Sequence, residues 1–352
     1  MKNIILKIPE ICHSCQGLVL ATVTGTKGST PQKPGSTALF DSGGLLSGTI
    51  GGGIVEGRVS EFAVKCSKTK KSGLITHLLN NDISNKEDAI CGGEITILVD
   101  GDPCSHLPVF KAIKDSISAR IPGILISFVT KEDDGKVSIE RQWMTPDNKP
   151  LLTAEIPEKI RSEASDILSS VAPEFRQTEI SLPGKSPVMV LLEPVFPQKQ
   201  LIIAGAGHIG KALSHLGKML DFDVTVIDDR AEFANRENLP DADTIIVSDI
   251  GQAMKEIVKG KDSYIVIVTR GHKDDAETLK PCVSSGAAYI GMIGSKMKVA
   301  KMKEEFIRNN WAGEEQWRQI YAPVGMDIKS RSVEEIAISI AAQMVLVRNS
   351  SY

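Results

Sequence analysis

The feature that most constrains this chain is the run Gly205-Ala206-Gly207-His208-Ile209-Gly210. It follows Leu201-Ile202-Ile203-Ala204, which is short and wholly apolar, as a strand buried on both faces of a parallel sheet must be. It leads into Ile209–Leu220, an amphipathic helix by its spacing, and then to Val224-Thr225-Val226-Ile227 ending in Asp228. A glycine turn between strand and helix, with an acid closing the next strand, is the dinucleotide-binding fingerprint in its proper context. Gly205 permits the tight turn, Gly207 lets the backbone approach a pyrophosphate, and Gly210 allows close helix–strand packing. The helix N-terminus offers unpaired N–H groups and partial positive charge to a phosphate. Asp228 stands where a ribose hydroxyl partner belongs. His208 reads equally as a ligand contact or as a surface side chain.

The alternation continues through strands at Thr244–Val247, Tyr264–Val268 and Ala288–Gly291. A last helix over Val333–Arg348 opens with Ser332 as N-cap and Glu335 three residues on, a capping box. This predicts a doubly wound, Rossmann-like parallel-sheet domain over residues 196–352. A chain of 352 residues is too long for one ordinary core, and Pro194 and Pro197 mark the boundary. Residues 1–195 are expected to form a glycine-rich α/β domain. Strands are expected over Gly17–Val23, Ser36–Phe40 and Leu45–Ile50, with a hairpin turn at Asp41–Gly44. A helix follows over Ile54–Lys68, with Val55, Val59, Phe62 and Ala63 on one face, then a strand over Glu94–Val99. Further on, Ile124–Val129 and Val137–Arg141 flank Asp133-Asp134-Gly135, a hairpin signal; Glu158–Val171 is helical and Val188–Glu193 a strand.

A second glycine cluster comprises Gly28-Ser29-Thr30-Pro31 and Gly51-Gly52-Gly53 ahead of a helix. Three glycines there can expose N–H groups in a concave nest, with Ser29, Thr30 and Lys33 as added donors and Glu56 on the first helical turn facing them. Two plain turns of a small sheet are the other reading. Cys12-His13-Ser14-Cys15 has zinc-like spacing but no second ligand pair, so two half-buried thiols are expected. Cys91-Gly92-Gly93, before a strand, reads as a reactive thiol, a soft ligand or neither. Cys66, Cys104 and Cys282 look structural or incidental. His272 follows a buried strand at the ligand-binding end of the sheet, with Asp274 or Asp275 either capping the next helix or, through Asp275, orienting His272 toward a ligand or metal.

Net charge is −3, from 41 basic and 44 acidic residues, which supplies no basic surface for nucleic acid. No apolar run approaches the ~20 residues of a membrane helix, and the N-terminal apolar stretch is too short for a signal peptide. A cytoplasmic protein with reduced thiols is expected.

Taken together, these residues resemble the xanthine dehydrogenase accessory protein family (XdhC/CoxI). The resemblance runs in matching order through Gly28–Pro31, Gly48–Glu56, Cys91-Gly92-Gly93, the glycine turn, and Asp228-Asp229-Arg230. It continues through Thr269, His272 and Asp275, then Tyr289–Lys296, Pro323–Ile328 and Glu335–Ile340. Arg270 stands where the family often carries a histidine, and Gln343 where an acid is common. The resemblance implies a molybdenum cofactor chaperone, typically a homodimer. It would hold the molybdopterin while a cysteine desulfurase delivers a sulfido ligand, then pass it to a xanthine dehydrogenase-like apoenzyme. It makes Cys91 a candidate molybdenum contact, since a soft thiolate suits that metal. It gathers the cofactor-binding candidates as Gly51, Gly52, Gly53, Glu56, Cys91, Gly92 and Gly93 in the first domain. In the second they are Gly205, Gly207, His208, Gly210, Asp228, Arg230, His272, Gly294 and Ser295, where NAD or another adenine nucleotide is an alternative occupant. The competing reading is an NAD(P)-dependent oxidoreductase with His272 as acid–base. No nucleophile–base constellation is recognisable in the chain, which favours a binding module.

Overall fold

The computed structural model describes residues 3–14, 17–79, 93–132, 135–147, 156–170, 172–181 and 187–350. Cys15, Cys91, Gly92, Asp133, Asp134 and Val171 therefore lie outside the described residues. The chain divides into two compact units, Met1–Pro197 and Gln198–Tyr352.

The first unit opens with a 3-10 turn, Ile4–Lys7, that runs into α1 (Ile8–Ser14). Then come β1 (Val19–Gly28), β2 (Thr37–Asp41), β3 (Gly44–Gly48), α2 (Gly53–Thr69), β4 (Gly73–Leu79) and β5 (Gly93–Asp100). These strands form one antiparallel sheet in the order β3-β2-β1-β5-β4. There follow α3 (Leu107–Ser118), β6 (Gly123–Lys131), β7 (Val137–Met144), α4 (Glu158–Ser169), β8 (Arg176–Ile180) and β9 (Val188–Val195), whose strands make a second antiparallel sheet, β7-β6-β9-β8. The first six residues of β1 are all buried because both faces are covered. Val19, Ala21 and Val23 pack with Val55, Val59 and Ala63 of α2. Leu20 turns the other way and meets Ile4, Ile5, Phe110, Leu125 and Trp143 in a core shared with α1, α3 and the second sheet. The outer face of that sheet is covered by Ile160, Ala164 and Ile167, one stripe of α4 at helical spacing.

The cysteine expectation needs correction. Cys12 on α1 is bridged to Cys104, in the turn Pro103–His106 before α3, with Cα atoms 5.7 Å apart. Ninety-two residues separate them, and only the packing of α1 with α3 in one core brings them within bridging range. Cys12 is thereby removed as a metal ligand. Cys66 and Cys282 are buried thiols, pushed up by burial to about 11 and about 12.

The second unit contains β10 (Gln200–Ala204), α5 (His208–Met219), β11 (Asp223–Asp228), β12 (Thr244–Val247), α6 (Ile250–Glu256) and β13 (Ser263–Ile267). It continues with α7 (His272–Leu279), β14 (Tyr289–Met292), α8 (Lys296–Arg308), α9 (Glu314–Arg318), β15 (Ile320–Tyr321) and α10 (Val333–Ser350). All six strands are parallel, in the order β12-β11-β10-β13-β14-β15. The order reverses between β10 and β13, the topological switch point of a doubly wound sheet. Leu201, Ile203, Val224 and Val226 face α5 and α10 on one side. Ile202, Ile265 and Ile267 face Met254, Leu279 and Phe306 from α6, α7 and α8 on the other. At the mouth of α10 the Glu335 N–H donates to Ser332 Oγ (3.2 Å) and the Ser332 N–H to Glu335 Oε2 (3.1 Å), closing the capping box. No helix among the described residues is long and apolar enough to cross a membrane.

Candidate functional site

The three glycines of the Rossmann turn do different work. Gly205 has φ +115°, and a Cβ there would stand 2.6 Å from the Val268 carbonyl oxygen. A Cβ on Gly210 would collide with the carbonyl oxygen of Gly205. A Cβ on Gly207 would meet nothing within 4 Å, because this residue borders a hollow of about 280 Å³. The hollow lies at the carboxyl ends of β10, β11 and β13, where ligands of open α/β sheets bind. Its lining carries Asp228, Asp229, Asp249, Asp274 and Glu277 against Arg230, Lys255 and Arg270. With acids in surplus, the hollow offers a phosphate the backbone of the turn rather than side-chain charge.

Asp228 is almost fully buried and its oxygens accept four N–H bonds: from Ala206 N (2.7 Å), Arg230 N (3.0 Å), Arg230 Nε (2.8 Å) and Arg230 Nη2 (2.9 Å). Burial pushes this carboxyl up, but Arg230 and the two backbone donors outweigh it and hold it below the usual range. Arg230 is steadied in turn by the Phe233 ring, 3.9 Å from its centroid. Four bonds fill the acceptor capacity of a carboxylate, so a ribose hydroxyl would have to displace Arg230. The other sequence candidates are dispersed. His208 lines a separate cavity of about 380 Å³ with Lys211, His215 and Glu334. His272 Nε2 lies 3.0 Å from Glu305 Oε2 and is not among the residues around the switch-point hollow. Gly294 and Ser295 open α8, where Ser295 Oγ accepts the Lys298 N–H (3.2 Å) as its N-cap.

Asp275 is, with Asp228, a buried acid of this unit. It accepts a hydrogen bond from Thr269 Oγ1 and forms an ion pair with Lys298, which ties the strand end after β13 to α7 and α8. Burial raises its carboxyl against the pull of both partners. Lys298 escaped the sequence reading, since a lysine on a helix among others of its kind carries no mark of being paired inside.

In the first unit the structure brings the scattered glycine motifs together. Gly28 pairs with Gly93 across β1 and β5. A Cβ on Gly93 would collide with the carbonyls of Ser29 and Lys27, and one on Gly51 would stand 2.9 Å from Pro31 Cγ. The Gly28–Pro31 loop thus meets both other motifs. Gly52 and Gly53, at φ +66° and +54°, have open space where a side chain would be. Glu56 folds back to fasten this turn: its Oε2 accepts from Thr49 Oγ1 (2.9 Å) and the Ile50 N–H (3.4 Å). Thr30 Oγ1 donates to the Gln32 carbonyl (3.0 Å), and Lys33 is exposed. Cys91 stands two residues before Gly93 in the chain. Among the described residues no group of three His, Cys, Asp or Glu is placed to hold a metal.

A larger cavity, about 550 Å³, adjoins this turn and was not foreseen from the sequence. Lys7, Gln32, Gly48, Thr49, Phe175 and Glu193 are among its lining. Burial pushes the Glu193 carboxyl up to about 7, with the Arg141 charge pulling the other way. Arg141 is itself committed to a buried ion pair with Asp100. The only signal in the sequence is an acid ending an otherwise apolar run, Val188-Met189-Val190-Leu191-Leu192.

Residues 201–344 match the XdhC Rossmann domain, and residues 13–77 match the XdhC and CoxI family. Among curated relatives, the uncharacterized protein YqeB of Escherichia coli is 29% identical over 153 residues, 43% of this chain and 28% of that protein. The chain thus spans little more than a quarter of that relative's length. A probable xanthine dehydrogenase subunit of Bacillus subtilis is 23% identical over 354 residues, covering 99% of this chain and 98% of its own. Among solved structures, a xanthine dehydrogenase from Bacillus halodurans has the same fold: TM-score 0.72 at 22% identity, over 98% of this chain and 96% of that one.

Proposed function

This chain belongs to the XdhC and CoxI family, and from that premise we propose that it is an accessory factor that holds a molybdenum-bearing pterin cofactor and hands it to a xanthine dehydrogenase-like apoenzyme. The observation that carries this reading is the meeting of Gly28–Pro31, Gly51–Gly53 and Gly93 at one end of the first sheet. The fit rests on the positive-φ turn at Gly52 and Gly53, whose backbone is unobstructed because no atom lies within 4 Å of where either side chain would begin. Backbone N–H groups of that turn would hold the anionic end of the cofactor, Glu56 would keep the turn in shape, and the Cys91 thiolate would face the metal. In the recipient enzyme the cofactor supplies the molybdenum redox centre. This chain's residues would bind it and orient it. On this reading a cysteine desulfurase and a second copy of the chain are the other partners, and the cytosol is the compartment.

The second unit supports an additional role, binding NAD or another adenine nucleotide at the switch-point hollow through Gly207 and the start of α5. That same hollow is what favours the alternative, a nicotinamide oxidoreductase. The pairing of His272 with Glu305, away from the hollow, and the saturation of Asp228 by Arg230 weigh against it.

The test compares wild type with Cys91→Ala, both purified from cells that make the cofactor, measuring molybdenum and extractable pterin per chain. The expected result is a loss of retention of about tenfold or more with unchanged circular dichroism. Equal retention in the variant rejects the role of Cys91. Nicotinamide turnover on a small alcohol or carbonyl, without any pterin uptake, rejects the accessory reading.

A further inference from the structure

On the proposed reading the glycine turn would take the cofactor's anionic end, which leaves the pterin ring without a seat. We propose that the ring occupies the 550 Å³ cavity beside β2 and β3, with the Glu193 carboxyl accepting hydrogen bonds from its 2-amino and ring N–H edge. This rests on the cofactor-holding reading and says where the organic part of the cofactor goes.

Four observations carry it. The first is size: 550 Å³ lies inside the ~300–1,000 Å³ span of small-molecule sites, about twice the Rossmann hollow. The second is the acid itself. Trp143, Leu125 and Glu193 form one row across β7, β6 and β9. Leu125 and Trp143 point into the core that holds Ile4, which also lines the cavity, so Glu193 shares the face of an apolar row. Its carboxyl makes no hydrogen bond to another described residue, and it stands half-buried on the cavity wall, where a ligand's N–H groups can reach it.

The third is that two pairs of polar wall groups already bond each other. Lys7 Nζ donates to Ser47 Oγ (3.0 Å) and Ser36 Oγ to Gln32 Oε1 (2.9 Å), and Glu193 is the one carboxylate in the lining, the group that takes paired N–H donors. Phe175 adds an aromatic surface to the lining. The fourth is continuity. Thr49 lines the cavity and also bonds Glu56, so cavity and glycine turn meet at one residue. A ligand with a planar ring at one end and an anionic tail at the other spans both. A carboxylate takes two parallel N–H bonds from a 2-amino-4-oxo pyrimidine edge, which pterin and guanine possess and adenine lacks.

The test is fluorescence quenching of 6-hydroxymethylpterin titrated with the full-length protein, with guanosine and adenosine as competitors. The expected result is saturable quenching in wild type, weakened about tenfold or more by Glu193→Gln and abolished by Ser47→Trp, which fills the cavity from its β3 wall. Cys91→Ala should bind the free pterin as wild type does, and adenosine should not compete. If Glu193→Gln fails to fold, Ser47→Trp carries the test alone. Wild-type affinity in both variants, equal competition by adenosine, or binding of guanosine without pterin each overturns the proposal. The two readings fail separately. Molybdenum retained by Ser47→Trp but lost from Cys91→Ala leaves the accessory role standing and removes the pocket. Pterin binding governed by Glu193 in a protein that never carries molybdenum does the reverse.

Discussion

Gly207 and Gly210 lie three positions apart and make opposite demands. At Gly210 an added methyl would drive into the carbonyl of Gly205, so Gly210→Ala should destabilise the protein by about 1–3 kcal/mol in urea unfolding. Gly207 has an ordinary φ of −68° and open space in front, so Gly207→Ala should stay within about 0.5 kcal/mol of wild type. Equal losses in both would mean that the hollow is not open as described. These glycines and Asp228 were legible because backbone geometry dictates them. What Asp228 does was not: the sequence offers it to a ribose, whereas Arg230, two residues on, folds back and saturates it. A side chain's choice between a ligand and a neighbour is made in three dimensions. Glu193 was missed for the same reason, since one acid at a strand end looks like a surface residue until the next layer is placed over it.

At the scale of elements, legibility followed the strength of the pattern. The Rossmann strands β10 to β14 have apolar centres, and the sequence places each to within a residue or two. The capping box at α10 was read from Ser332 and Glu335 alone, and both of its bonds are formed. Ser332→Ala should cost about 1 kcal/mol of unfolding free energy, and an unchanged urea midpoint would show the cap to be idle. The strands that went unread are β4, half-exposed along most of its length, β8, a largely polar edge strand, and β15, only two residues long; none shows a clear hydrophobic period. The Cys12–Cys104 bridge belongs to this scale too. It joins α1 to the turn before α3, and pairing between elements leaves no trace in spacing along the chain.

For the whole molecule, the sequence resolved a parallel doubly wound unit following a glycine-rich one, and the structure specifies that the earlier unit holds two antiparallel sheets. On the proposed reading the work divides along the same lines, with cofactor holding in the first unit, beside the glycine turn and its neighbouring cavity, and the second unit offering a hollow at its switch point. The most direct test of this account is native mass spectrometry of the full-length chain isolated from its own host, with molybdenum quantified on the same sample. The account predicts a mass increment for a molybdenum-bearing pterin at fixed stoichiometry, displaced by Ser47→Trp. A chain that flies bare, or carries only an adenine dinucleotide with no molybdenum, would contradict it.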